Sequence, residues 1–307
     1  MHLAEGTVPL GQAMAWSALA APAVLWSLRG EQQARRADPS STVLMAGATS
    51  LLFAGTLLPL PVPVVGATSH ICLTPILALI VGLRRIVWPT FFVLLLQAVF
   101  FAHGGLTTLG INTLTLGLLG PAVAVGLWKL CRRVGLNGAF GLALACGLGD
   151  LSVYLADAVV LAAALSSVTA PATTFGAVVV GFAPVQVPLA ILEGVVAVGI
   201  ARLLSTRRPD LLPSSLLDSP GGFAGAAQTL LLLLAVGLSG CSYEGIDGSV
   251  FAGTAEESGQ VPTDSLLDLS QGEVGLAMTI IILFGMGFLA GRSWDRLFGE
   301  GRDAPPR

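Results

Sequence analysis

Long apolar stretches separated by short polar joints run along almost the whole chain. A bilayer core takes about 20 apolar residues per helix, and runs of that kind lie at 8–28, 42–60, 64–83, 86–102, 107–128, 138–164, 174–201, 225–240 and 274–291. The pattern predicts an all-α integral membrane protein: a seven-helix bundle followed by a two-helix unit. The third run is broken by Pro63, Gly66 and Pro75. Such residues are tolerated at membrane depth where neighbouring protein satisfies the freed backbone groups, as around a binding site.

Charge placement then orients the spans. All 15 basic residues fall in alternate joints: Arg29, Arg35 and Arg36; Arg84 and Arg85; Lys129, Arg132 and Arg133; Arg202, Arg207 and Arg208; Arg292, Arg296, Arg302 and Arg307. Basic joints stay in the cytoplasm, so the amino terminus is expected outside the cell membrane and the carboxy terminus inside. The first run lacks the leading basic stretch of a secretory signal. Its positive charge follows at Arg29, so Met1 is expected to remain in the mature protein.

Three units follow from the joints. Residues 1–208 form the seven-span unit, 209–224 (rich in Pro, Ser and Gly) read as a cytoplasmic linker, and 225–307 hold two spans around a loop, 241–273. That loop carries Glu244, Asp247, Glu256, Glu257, Asp264, Asp268 and Glu273 and no basic residue. It reads either as a solvated segment held outside by its charge or as a surface that contacts the larger unit or attracts cations. Composition agrees with a membrane protein: 54% of residues are apolar and 11% charged, against about 25% charged in soluble domains. A net charge of −3 argues against nucleic acid. The four cysteines, Cys72, Cys131, Cys146 and Cys241, show no metal-binding spacing. Leu238 to Cys241 match a lipoprotein cleavage box, but so deep in the chain that the match reads as coincidence.

Candidate chemistry centres on three histidines, His2, His70 and His103, all predicted on the outer side. His70 precedes Arg84 by 14 residues, about 21 Å along a helix, so it lies below the outer surface. The first span uses residues back to Val8 or Pro9, which leaves the preceding segment free to fold inward. There the Met1 amine, the His2 amide nitrogen and imidazole, and the His70 imidazole would supply four nitrogen donors. Such a set forms a square-planar site, the geometry of Ni(II) or Cu(II). His103, in the sequence FAHGGLTTLG, either caps a turn or stands beside that site as a support or gate. Asp150, Asp157 and Glu193 lie at membrane depth, where charge is costly. Asp150, Tyr154 and Asp157 share one helix face, either as packing or as a coupling device. No HExxH occurs, and the one lysine, Lys129, follows Trp128, so a Walker A motif is absent. The chain is expected to be non-catalytic.

The blocks MHLAEGTVP (1–9), GATSH (66–70), HGGLTTLG (103–110) with Asn112, GDLSVY (149–154) and QVPLAILEG (186–194) resemble the substrate-binding M component of energy-coupling-factor cobalt and nickel transporters. The tail around YEGIDG (243–248) resembles the small N component of the same transporters, here fused to the chain. The resemblance implies import of Ni(II) or Co(II) driven by ATP, with a membrane T component and two cytoplasmic ATPases as partners. It carries the metal ligands over to Met1, His2 and His70. His103 stands where some members have aspartate, so it and Asn112 are expected near the metal without ligating it. A vitamin-type substrate component of the same transporter group and a non-transporting membrane sensor are the competing readings.

Overall fold

The computed structural model describes residues 2–62, 67–136, 138–217, 244–246, 248–261, 263, 269 and 271–299. Met1, Cys241, the eighth predicted span (225–240) and residues 218–224 of the predicted linker lie outside the described residues. So do Asp247, Asp264 and Asp268.

Helix α1 (Leu10–Ala37) covers the first predicted span, and its last turn carries Arg35 and Arg36, favourable at the negative end of a helix. Helix α2 (Ser41–Leu57) follows. Helix α4 (Leu83–Phe100), the continuous stretch of α5 (Leu109–Leu114), a π turn (Thr115–Leu119) and α6 (Gly120–Arg133), then α7 (Ala139–Ala164) and α8 (Pro171–Arg207) match the fourth to seventh predicted spans. Helix α9 (Gly272–Phe298) supplies the last. Among the described residues five helical stretches are long and apolar enough to cross a membrane: 83–100, 109–133, 139–164, 171–207 and 275–298. The protein is a multi-pass membrane protein.

The third predicted span, 64–83, needs correction. In its place stand strand β1 (Leu60–Val62), strand β2 (Ala67–Ser69), an irregular stretch at 70–73 and the short helix α3 (Thr74–Val81). Eight helical residues rise only about 12 Å, too little for a bilayer core. Pro75 falls in the first turn of α3, where its missing N–H is harmless. Gly82, at φ +95°, ends α3 and separates it from α4. The two strands pair antiparallel, Leu60 opposite Ser69. Strand β3 (Glu244–Gly245), from the acidic loop, joins β2 in parallel. Among the described residues the protein is thus helical in the main, with three short strands beside the helices.

Helices α7 and α8 approach most closely at glycines. A Cβ on Gly147 would lie 2.6 Å from the Ala190 carbonyl, and one on Gly194 would lie 2.6 Å from the Ala143 carbonyl. Membrane helices associate through such small-residue contacts because lipid supplies no hydrophobic drive between them. Two buried apolar clusters lie among the described residues. One, around Leu52, Ile76, Leu142 and Ala197, fills the body of the bundle. The other, around Leu3, Ile111, Leu116, Leu161, Phe182 and Phe251, gathers parts of segment 2–8, α5, α7, α8 and the acidic loop.

Candidate metal centre

Segment 2–8 turns inward ahead of α1. His2, Leu3, Glu5, Thr7 and Val8 are all buried, which leaves the backbone of the segment in need of partners. Loop 103–108 and α5 provide them. The Leu3 N–H donates to Asn112 Oδ1 at 3.0 Å, Asn112 Nδ2 donates to the Leu3 carbonyl at 3.2 Å, and the Thr108 hydroxyl donates to that same carbonyl. In return the Glu5 carboxylate accepts the Leu106 N–H at 2.6 Å and the Thr107 N–H at 3.2 Å. The acidic loop closes the other side, where the Thr263 N–H donates to the Glu5 carbonyl at 3.2 Å.

This clamp brings His2 against both other histidines. The His2 and His70 rings stack with centroids 5.0 Å apart and planes 25° apart. His103 meets His2 edge-on, at 4.5 Å and 78°, and His70 at 5.4 Å and 63°. One ring nitrogen from each of the three lies within 4.8 Å of the other two. Both His2 nitrogens and His103 Nε2 are enclosed and have no hydrogen-bond partner among the described residues, an arrangement costly for a polar atom unless a ligand completes it. Burial holds the His2 and His70 imidazoles well below the ordinary histidine range and His103 at about 3. All three are therefore neutral near pH 7, the state in which imidazole binds metal.

Strain marks the same place. Leu73 (φ +57°) and Ala102 (φ +47°) are the positive-φ residues other than glycine among the described residues. One follows His70 by three positions; the other immediately precedes His103. A left-handed conformation costs a side chain about 1–2 kcal/mol, and such outliers gather at binding sites. Gly104, at φ +84°, continues the turn; a Cβ there would come within 3.2 Å of His2 Cβ.

The membrane-depth acids sit just beneath. The Cys72 thiol donates to Asp150 Oδ1 at 2.7 Å, and Gln186 Nε2 donates to Asp150 Oδ2 at 3.1 Å. The Leu73 N–H donates to Glu193 Oε1 at 2.9 Å. Asp150 and Glu193 thus grip the stretch that follows His70. Tyr154 faces Ser69, with their hydroxyls 3.3 Å apart. Asp150, Tyr154 and Asp157 all face the interior of the bundle, as their spacing predicts.

His2, His70, His103 and Asn112 therefore converge, and Met1 lies outside the described residues. The His103 N–H closes the turn on the Gln97 carbonyl at 3.1 Å, while its ring joins the cluster. Glu5, Thr108 and Cys72 escaped the reading of the sequence. An acid five residues into an apolar-flanked terminus was the available signal for Glu5; nothing in spacing marks Cys72 or Thr108.

Residues 2–211 match the family described as the cobalt uptake substrate-specific transmembrane region, CbiM. The chain is 34% identical to the cobalt transport protein CbiM of Geobacter sulfurreducens, over 98% of this chain and 91% of that protein. It is 38% identical to the cobalt transport protein CbiM of Sorangium cellulosum, over 69% of this chain and 94% of that one. Its fold is like that of a truncated transition metal transporter solved by crystallography, with a TM-score of 0.58 at 22% identity over 67% of this chain and 99% of the other. The matched region holds the clamp on Leu3, the three histidines and the acids beneath them, and the chain accordingly belongs to the CbiM family.

Proposed function

We propose that this protein is the substrate-binding subunit of an ATP-driven energy-coupling-factor transporter that imports Ni(II) or Co(II). The Met1 amine, the His2 amide and imidazole, and the His70 imidazole hold the ion, which is cargo. The observation that carries this reading is the buried stack of His2 on His70, from segments far apart in sequence, with neither His2 nitrogen hydrogen-bonded among the described residues. Relatives named as cobalt transport proteins support the class of cargo.

In this reading residues 1–208 bind the metal, 209–224 link, and 225–307 are a fused N component. The helix polarity supports a single orientation. The histidines flank the amino-terminal ends of α1 and α3 and the carboxy-terminal end of α4, whereas Arg35, Arg36, Arg84, Arg85, Arg132, Arg133 and Arg207 occupy opposite helix ends. The histidine side faces out and the arginine side faces the cytoplasm. A membrane T component and two cytoplasmic ATPases supply the coupling, since this sequence has no P-loop of its own.

The test is elemental analysis of purified protein that starts at Met1. The wild type carries stoichiometric nickel or cobalt, and His2→Ala or His70→Ala loses it while keeping its helical content. A residue placed before Met1 consumes the amine and has the same effect. Full metal occupancy in both histidine variants would overturn the assignment.

A further inference from the structure

We infer that residues 70–73 form a release arm: Leu73 holds them in a strained position against Glu193, and relaxation at Leu73 swings the arm towards a neighbouring apolar cavity and withdraws His70 from His2. This rests on the proposed role of His70 in holding the ion.

The arm runs from β2 to α3 and divides two environments, with alternate side chains on opposite sides. His70 stacks on His2, and the Cys72 thiol donates to Asp150. Ile71 and Leu73 instead line an apolar cavity of about 260 Å³ between α2 and α8. Gly55 on α2, Leu60 on β1, and Val196 and Ile200 on α8 line it from other sides.

Leu73 is the hinge. Its side chain packs onto the α2 backbone, where a Cβ on Gly55 would come within 2.3 Å of Leu73 Cδ1. Its carbonyl accepts the Leu77 N–H at 3.1 Å, and Ile76 and Leu77 are buried in the core. The residue is therefore fixed on its α3 side. Its own N–H donates to Glu193 Oε1 at 2.9 Å, with the backbone at φ +57°. Return to an ordinary negative φ turns the preceding chain about the Leu73 N–Cα bond. That rotation breaks the Glu193 bond, leaves the Leu77 bond intact, and moves Cys72, Ile71 and His70 together. His70 Nδ1 lies 3.3 Å from the Ile71 carbonyl, so ring and backbone travel as one.

Two costs meet at this point. A left-handed backbone disfavours any residue with a Cβ, and a cavity forfeits packing contacts along its walls. One motion relieves both, because Ile71 has the cavity to enter. Strained residues of this kind persist at switches, where the surrounding structure over-determines them. An ion on His70 opposes the motion, so the arm keeps its strained position while loaded and leaves it on release.

The experiment loads the full chain with Ni(II) in detergent and then adds excess EDTA. Ala54→Leu and Val196→Phe narrow the cavity from α2 and from α8. Both variants are expected to keep the metal and to lose it on the order of tenfold more slowly than the wild type, the scale on which an overpacked position raises a barrier. In the wild type, hydrogen exchange read at single amides is expected to slow at Leu73 when nickel binds and to stay unchanged at Leu77. Release from both variants at or above the wild-type rate overturns the inference. So does a Leu73 amide whose exchange changes no more than that of Leu77, a measurement that needs no variant to fold. Either result leaves the proposed function standing. Wild-type protein that takes up neither nickel nor cobalt overturns that function, and the inference with it.

Discussion

Asn112 grips both backbone groups of Leu3, accepting its N–H at 3.0 Å and donating to its carbonyl at 3.2 Å. An amide side chain is the one type that offers an acceptor and a donor side by side. It fixes the peptide next to His2 as a neighbouring strand would, from inside a helix. Asn112→Ala is expected to leave the Leu3 N–H buried and unpaired, at about 1–3 kcal/mol, and to lower metal occupancy on the order of tenfold. Asn112→Asp keeps the acceptor and loses the donor, so it should fall between the two. Metal titration of the three proteins checks the order; equal affinity for all three would show that the clamp is dispensable.

Glu193 tests whether the acids below the site act by charge or by accepting hydrogen bonds. Glu193 Oε1 takes the N–H of the strained Leu73, three residues from His70. Glu193→Gln retains an acceptor and is expected to bind metal nearly as the wild type does. Glu193→Ala strands a buried N–H, at about 1–3 kcal/mol, and should lower the thermal midpoint and the occupancy together. If the glutamine variant is as damaged as the alanine variant, the charge is what matters.

Acid should destabilise the metal-free protein through its histidines. Burial depresses the folded-state values, that of His103 to about 3, against an ordinary value near 6.5. The unfolded chain therefore binds more protons between those limits, and stability falls as pH drops below about 6.5 towards 3. Above pH 6.5 this contribution is fully present. Thermal unfolding in detergent at a series of pH values is expected to show the decline, with a shallower slope in His103→Gln. Identical slopes would assign the acid sensitivity to other groups.

Packing of α7 on α8 yields a paired comparison. Gly194→Val places branched carbon where a Cβ already meets the Ala143 carbonyl at 2.6 Å, and overpacking of this kind costs about 1–3 kcal/mol. Gly285→Ala on α9 meets nothing within 4 Å and should be neutral. Differential scanning of both in the same detergent separates a close helix contact from a general intolerance of glycine replacement.

The parts of the fold that were legible in the sequence are those governed by composition over a full bilayer width. The helices at 83–100, 139–164 and 171–207 fall where apolar length alone requires them. The third run escaped because apolar content says nothing about hydrogen-bond partners. Its Pro63, Gly66 and Pro75 mark the disruption, but the replacement, strands pairing beside an irregular 70–73, depends on Asp150 and Glu193 far along the chain. At the site, His2 and His70 were readable from their rarity and depth. His103 was readable as a neighbour of the site but not in its packing against His2, because that placement is set by a left-handed Ala102 and by contacts with the His2 ring. Neither leaves a trace in spacing.

The acidic loop has a consequence for how the molecule matures. Through Thr263 it holds the Glu5 carbonyl, and through β3 it lies alongside β2, the strand that leads into His70. Segment 2–8 is thus made before all of the hydrogen-bond partners that hold it, of which Leu106 comes first and Thr263 last. Its pocket cannot close around it until translation has passed residue 263. Made before all of these partners, His2 is among the last residues to reach its place.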